Sequence, residues 1–242
     1  MSNFEAIIYE KQDAIGYVTL NRPQALNAYN IQMRDELYQV LGVIQDDPDV
    51  RVAILRGAGE RAFCAGADLT EFLAAPSPIV ARRVRWERDV WGLFLNVTKP
   101  LIAALHGYVL GSGIEIALCC DIRLASDDAQ FGLPELGLGI IPAAGATQTL
   151  PRVVGRAKAL EMLLIGRWIR AEEAHHLKLV NQVVPQYNLL PETERLAKKI
   201  KDYAPNAVRC AKQAITGGLD LSLEQGLELE AKLGRTLIQH TK

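Results

Sequence analysis

Three short apolar strand-like runs constrain this chain most: Val50 to Leu55, Leu101 to Leu105 and Ile122 to Ala125, with helical patterns between and after them. Runs of this kind must be covered on both faces, and helices between strands supply that cover, so the pattern predicts an α/β fold with a buried sheet. Ahead of them, alternation over Ala6 to Glu10 and Ile15 to Leu20, with Lys11 to Ala14 between, predicts a β-hairpin. Met33, Leu37, Val40, Leu41 and Ile44 follow at helical spacing, and Asp46-Asp-Pro48 ends that helix. From Ala157 onward helices dominate: Ala157 to Ile165, Ala171 to Leu177, Leu189 to Tyr203, Asn206 to Thr216 and Leu223 to Leu237, interrupted by Val180 to Val184. At 242 residues the chain has room for one large domain, or one domain with a small appendage. The only loose stretch is Leu73 to Ile79, with Pro76 and Pro78, where a mobile loop is expected.

Lys plus Arg number 27 and Asp plus Glu 28, a formal charge of −1, so nothing draws the chain to nucleic acid or an anionic membrane. No apolar stretch reaches the roughly 20 residues of a membrane span, and Met-Ser-Asn-Phe-Glu5 lacks a secretory signal, so a cytoplasmic protein is expected. Cys64, Cys119, Cys120 and Cys210 follow no ligand spacing; four free thiols and no structural metal are expected.

Two carboxylates stand out by their isolation. Glu115 is the only acidic or basic side chain between Lys99 and Asp121, apart from His106, and Glu135 is alone between Asp128 and Arg152. A carboxylate taken out of water is costly and its pKa rises, so each is either turned to solvent or kept for proton transfer. General acid-base chemistry uses such tuned pairs. Plainer readings exist for both. Ser112-Gly-Ile-Glu115 fits a capping box, and Glu135, between Pro134 and Leu136-Gly137, fits a solvent-facing turn.

Two turns of small residues precede helix starts, Phe63 to Leu69 and Gly111-Ser-Gly113. Their outward N–H groups could receive negative charge, and two donors converging on one oxygen would form an oxyanion hole. The plain reading of the first is a cap, with Asp68 and Glu71 in Asp-x-x-Glu spacing. Other chemistries are weaker. Gly111-x-Gly113 lacks the third glycine of a dinucleotide fingerprint, and Ser112 does not sit in Gly-x-Ser-x-Gly because position 110 is Leu. Cys64 as a nucleophile is no stronger, and His175-His176 reads as a solvated pair.

Taken in order, Asn21-Arg-Pro with Leu26-Asn-Ala28, Ala62-Phe-Cys-Ala-Gly-Ala-Asp-Leu69, His106 to Glu115, Cys120-Asp-Ile-Arg-Leu-Ala125, Phe131-Gly-Leu-Pro-Glu135 and Gly139-Ile-Ile-Pro142 resemble the enoyl-CoA hydratase/isomerase (crotonase) family, and its hydratase branch in particular. The resemblance runs from about Phe4 to the last helix. It implies a spiral of ββα units over residues 1–185 carrying an acyl-CoA site. A helical region over 186–242 would build a homotrimer or hexamer. It also implies reversible hydration of a 2-enoyl-CoA thioester to a 3-hydroxyacyl-CoA, a lyase reaction of fatty-acid metabolism, in which CoA enters with the substrate and no other cofactor is needed. Isomerase, hydrolase and decarboxylase chemistry on the same fold, or acyl-CoA binding without catalysis, are the alternatives.

Position by position, the resemblance makes the N–H groups of Ala67 and Ser112 the oxyanion donors. Glu115 would activate water, and Glu135 would supply the α-proton. Ala65, Asp68 and Leu69 would meet CoA, and Pro142 and Ala143 would line the substrate. The chain departs from the family pattern in three places: Ser112 replaces the middle glycine of a Gly-Gly-Gly turn, Ala143 replaces a glycine after Pro142, and Gly145-Ala-Thr-Gln-Thr149 stands where Gly-Gly-Thr-Gln-Arg is usual. The chain also ends soon after Leu223 to Leu237, where many relatives continue with a short basic helix.

Overall fold

The computed structural model describes residues 4–72 and 88–239. The loop expected at Leu73 to Ile79 lies outside the described residues. The hairpin forms as predicted: β1 (Ile7–Gln12) pairs antiparallel with β2 (Ile15–Leu20). Its turn is the two residues Asp13 and Ala14, both at positive φ (51° and 61°), a geometry that follows the strands' right-handed twist. Helix α1 (Ile31–Asp46) buries Met33, Leu37, Val40, Leu41 and Ile44, the stripe legible in the sequence.

Three successive units then repeat one path. Strands β3 (Val52–Gly57) and β4 (Ala62–Cys64) are followed by α2 (Leu69–Phe72) and α3 (Val90–Asn96). Strands β5 (Leu101–Leu105) and β6 (Tyr108–Leu110) are followed by α4 (Ser112–Leu118). After β7 (Ile122–Ser126) and β8 (Gln130–Gly132) come α5 (Ala146–Val154) and α6 (Arg156–Leu164). The first strand of each unit joins one sheet and the second turns a corner into another, so the chain winds as a ββα spiral. With β9 (Ile169–Arg170), α7 (Ala171–His176) and β10 (Gln182–Val184) added, the sheets read β1-β2-β3-β5-β7-β10 and β4-β6-β8-β9. Apart from β1·β2 and β8·β9, every pairing is parallel.

Both faces of the large sheet are covered at its centre, which is why β5 and the first four residues of β3 are apolar without alternation. Leu20, Leu55, Leu105 and Ala125 pack into the main core, whereas Ile15, Ile54, Ile102 and Leu124 face the other way. That second face is closed by α8 (Leu189–Lys201), through Leu189 and Ala197. The last two helices, α9 (Pro205–Gly218) and α10 (Leu223–Gln239), pack on each other.

Candidate active site

The loop after β2 builds one side of the site. Asn27 is fully buried at φ 55°; its Nδ2 donates to Ala58 O (2.9 Å) and Ala62 O (2.8 Å), and its Oδ1 accepts from Arg22 N (2.9 Å). This ties the Leu26–Tyr29 loop to β4. Ala65 N donates to Leu26 O (3.0 Å), Tyr29 N to Gly66 O (2.8 Å) and Asp68 N to Tyr29 O (2.8 Å). The N–H of Ala67, between the bonded positions, donates to no described residue. Arg22 locks the arrangement by donating to Ala28 O (2.6 Å) and Asp68 Oδ2 (2.8 Å). Thr70 and then Arg22 hold the Asp68 carboxyl below its usual pKa.

The second turn is pressed against the first. A Cβ on Gly113 would lie 2.2 Å from Cys64 O, so α4 can approach β4 only with glycine there. Gly111, at φ 49°, has room for no side chain either: a Cβ would stand 2.8 Å from Glu135 Oε1 and 3.4 Å from Gly66 Cα. These contacts bring the Ala67 turn, the Ser112 turn and Glu135 to one place. Ser112 opens α4, so its N–H has no intrahelical acceptor.

The capping-box reading of Ser112 and Glu115 is overturned. The N-cap of α4 is Gly111, with no side-chain cap, and Glu115 points to a different helix. Its Oε1 accepts from Ala144 N (2.8 Å) and from Ala146 N (3.2 Å), the first residue of α5. The start of a helix carries unsatisfied N–H groups and the positive end of its dipole, a natural seat for a carboxylate that is only 3% exposed. The Asp68/Glu71 pair is corrected in the same way. Asp68 caps locally, accepting from Thr70 N (3.1 Å), but Glu71 Oε2 accepts from Ile31 N (2.8 Å) at the start of α1.

Glu135 is not a solvent-facing turn residue. It begins a 3-10 turn (Glu135–Leu138), and its Oε2 is buried with no hydrogen-bond partner among the described residues. Burial, and secondarily the charge of Glu115, push its pKa up. A carboxyl in this setting holds its proton more tightly than one in water, which suits a proton donor; Glu115, held by two N–H donors, is placed to accept one.

Ala67, Asp68, Ser112, Glu115, Glu135, Pro142 and Ala143 all line one cavity of about 440 Å³. Ala65 and Leu69 lie outside that lining. Trp91, at the end of the Trp86 to Trp91 segment expected from the sequence to line the acyl site, shares the cavity, whereas sequence reasoning missed Tyr29, Arg34 and Ile141 there. Tyr29 was legible only as a neighbour of the Leu26-Asn-Ala28 motif, and Arg34 only as a polar position on α1. Other candidate chemistries recede. Burial pushes the Cys64 thiol up to about 11, and all four cysteines are buried and unpaired. His175 and His176 are exposed, and among the described residues no cluster of three or more His, Cys, Asp or Glu could hold a metal.

The sequence model of the enoyl-CoA hydratase/isomerase family matches residues 10–242. A short-chain-enoyl-CoA hydratase of Clostridium acetobutylicum is 41% identical over 227 residues, covering 93% of this chain and 87% of its own. A crotonyl-CoA hydratase of Syntrophomonas wolfei is 39% identical over 229 residues, covering 94% and 88%. The crystal structure of an enoyl-CoA hydratase from Bacillus anthracis superposes with a TM-score of 0.92 at 38% identity, covering 97% of this chain and 91% of that one. With a ββα spiral, a matching family model and relatives of this identity along nearly its whole length, the chain belongs to the enoyl-CoA hydratase/isomerase family.

Proposed function

We propose that the protein reversibly hydrates a 2-enoyl-CoA thioester to a 3-hydroxyacyl-CoA. The observation that carries this reading is the pair of unlike carboxyls in one cavity, Glu115 held by the N–H groups of Ala144 and Ala146 and Glu135 with its Oε2 buried and unbonded among the described residues. Hydration needs both a group to take a proton from water and a group to protonate the α-carbon. The N–H groups of Ala67 and Ser112 receive the thioester oxygen as negative charge develops on it, each worth about 3–4 kcal/mol of barrier. Water attacks the β-carbon and gives its proton to Glu115; Glu135 gives its proton to the α-carbon, restoring the thioester carbonyl. Passing one proton from Glu115 to Glu135 resets the pair, and the net change is addition of H₂O.

CoA arrives as part of the substrate, with Ala65, Asp68 and Leu69 on its side of the site, and no further cofactor is invoked. Residues 1–185 form the catalytic part. Within 186–242, α8 closes the sheet, and α9 and α10 serve assembly into a homotrimer or hexamer, supported by the exposure of Ile215, Leu219, Leu223 and Leu227 on these two helices and the link between them. No helix among the described residues is long and apolar enough to cross a membrane, and a cytoplasmic location is proposed.

The test is loss of the conjugated thioester absorbance with straight, branched and cyclic 2-enoyl-CoAs. Hydration of at least one is expected, and failure on all of them would overturn the reading. Light scattering at the mass of a single subunit would overturn the assembly.

A further inference from the structure

Two residues that line the catalytic cavity carry a buried oxygen with no hydrogen-bond partner among the described residues: Glu135, whose Oε2 the reaction uses, and Tyr29, whose hydroxyl it does not. A phenol out of water with no acceptor is unfavourable, and apolar Phe would fill the same space without that cost. The Tyr29 ring is firmly placed. Its backbone is bonded to Gly66 and Asp68 on either side of Ala67, and its ring lies 5.5 Å from that of Trp91 on α3.

The neighbouring cation is also under-used. Arg34 donates through Nε (3.0 Å) and Nη2 (2.8 Å) to Asp35 Oδ1, and its Nη1 donates to no described residue. Asp35 is shared, since Arg88 Nη1 stands 2.6 Å from its other oxygen. Of the charges acting on the Tyr29 hydroxyl, that of Arg34 is the largest. The other carboxylates on this cavity wall are engaged. Asp68 accepts from Arg22 and Thr70, Glu71 from Ile31 N and Asp89 from Gly92 N. The wall formed by Tyr29, Arg34 and Trp91 therefore has donors in excess of acceptors, and it belongs to the same cavity as Glu115 and Glu135.

We infer that this wall recognises an oxygen acceptor on the substrate's acyl chain, beyond the reacting double bond, and that the acceptor is a carboxylate received by the Tyr29 hydroxyl and the Arg34 guanidinium. A planar guanidinium and a phenol O–H suit a carboxylate, which can accept from both. Sites built to hydrogen-bond a substrate group discriminate strongly against analogues that lack it, because the donors are then stranded.

The inference rests on the hydratase reading, and the experiment separates the two. Straight 2-enoyl-CoAs of five to eight carbons are compared at equal length with their ω-carboxy and ω-hydroxy counterparts, for the native protein, Tyr29→Phe and Arg34→Met. If no compound is hydrated, the hydratase reading itself fails. If hydration occurs, the native ratio of kcat/KM for ω-carboxy over unsubstituted substrate is expected to be about tenfold or more at the best length, falling roughly tenfold in each variant. A native ratio near one, or a ratio that survives Tyr29→Phe, would overturn the inference. Equal preference for the ω-hydroxy compound would overturn the carboxylate. Tyr29→Phe is also expected to melt no lower than the native protein; a clear drop would show an internal structural role for the hydroxyl and refute its being held for substrate.

Discussion

Replacing Glu115 with Gln tests the proposed chemistry while leaving the architecture in place. The carboxylate's Oε1 accepts from Ala144 N at 2.8 Å and Ala146 N at 3.2 Å, and the carbonyl oxygen of glutamine can accept both. Each bond changes from charge-assisted to neutral, a loss of about 1 kcal/mol apiece. Against that, the variant no longer buries a charge in a side chain 3% exposed, nor sets it beside Glu135. Stability should therefore change by no more than about 2 kcal/mol, and at roughly 2–4 °C per kcal/mol for a chain of this size the melting temperature should move by less than about 8 °C. Activity should change far more. Loss of a positioned base costs about 10²–10⁴ in rate, or roughly 2.7–5.4 kcal/mol of barrier. Glu115→Ala gives the contrast, since it strands both N–H groups at about 1–3 kcal/mol each and should unfold well below the Gln variant. The assay is disappearance of the enoyl-thioester absorbance, with calorimetric melting of the same samples. A folded Glu115→Gln enzyme with full activity on its best substrate would refute water activation at this carboxylate and move double-bond isomerisation ahead of hydration.

Other outcomes follow from the same geometry. Ala67→Pro removes one proposed oxyanion donor while the flanking Tyr29–Gly66 and Asp68–Tyr29 bonds use other atoms, so a folded protein slowed by about 10²–10³ in kcat is expected; near-native turnover would reject the donor. The raised pKa of Glu135 means the folded state holds that proton more tightly than the unfolded chain does. Its stabilising contribution is complete below the ordinary carboxyl pKa and is lost as pH rises through the raised value. Glu135→Gln should therefore gain stability relative to the native protein as pH climbs through that window, and a difference independent of pH would contradict the shift. The native hydration rate should fall above the same raised value, which a pH–rate profile would show. Asn27→Ala removes three hydrogen bonds, to Ala58 O and Ala62 O and from Arg22 N, at about 1 kcal/mol or more each. Urea unfolding should show a loss of about 3 kcal/mol or more, and less than 1 kcal/mol would mean the loop is held by other contacts.

Much of the fold is written in local periodicity. The hairpin, the α1 stripe, strand β5 and the helices after Ala157 follow the sequence pattern to within a few residues, because burial of a strand or helix face leaves its period in the chain. The isolation of Glu115 and Glu135 was visible for a related reason: a carboxyl that lines a pocket is surrounded in sequence by the apolar residues that build the pocket. What the sequence could not decide was partnership. Ser112-x-x-Glu115 and Asp68-x-x-Glu71 look like local caps, yet Glu115 receives the start of α5, Glu71 the start of α1, and the buried Glu36 the N–H groups of Ala6 and Ile7 at the start of β1. A carboxylate bonds to whichever unsatisfied N–H groups the fold delivers to it, and delivery across 29 to 40 positions is set by packing, not by neighbours in the chain. The same is true of the two turns proposed as the oxyanion hole, whose meeting depends on Gly113 letting α4 touch β4, and of Tyr29 and Arg34, ordinary residues in a line of sequence that come to share one cavity only once the chain has closed around it.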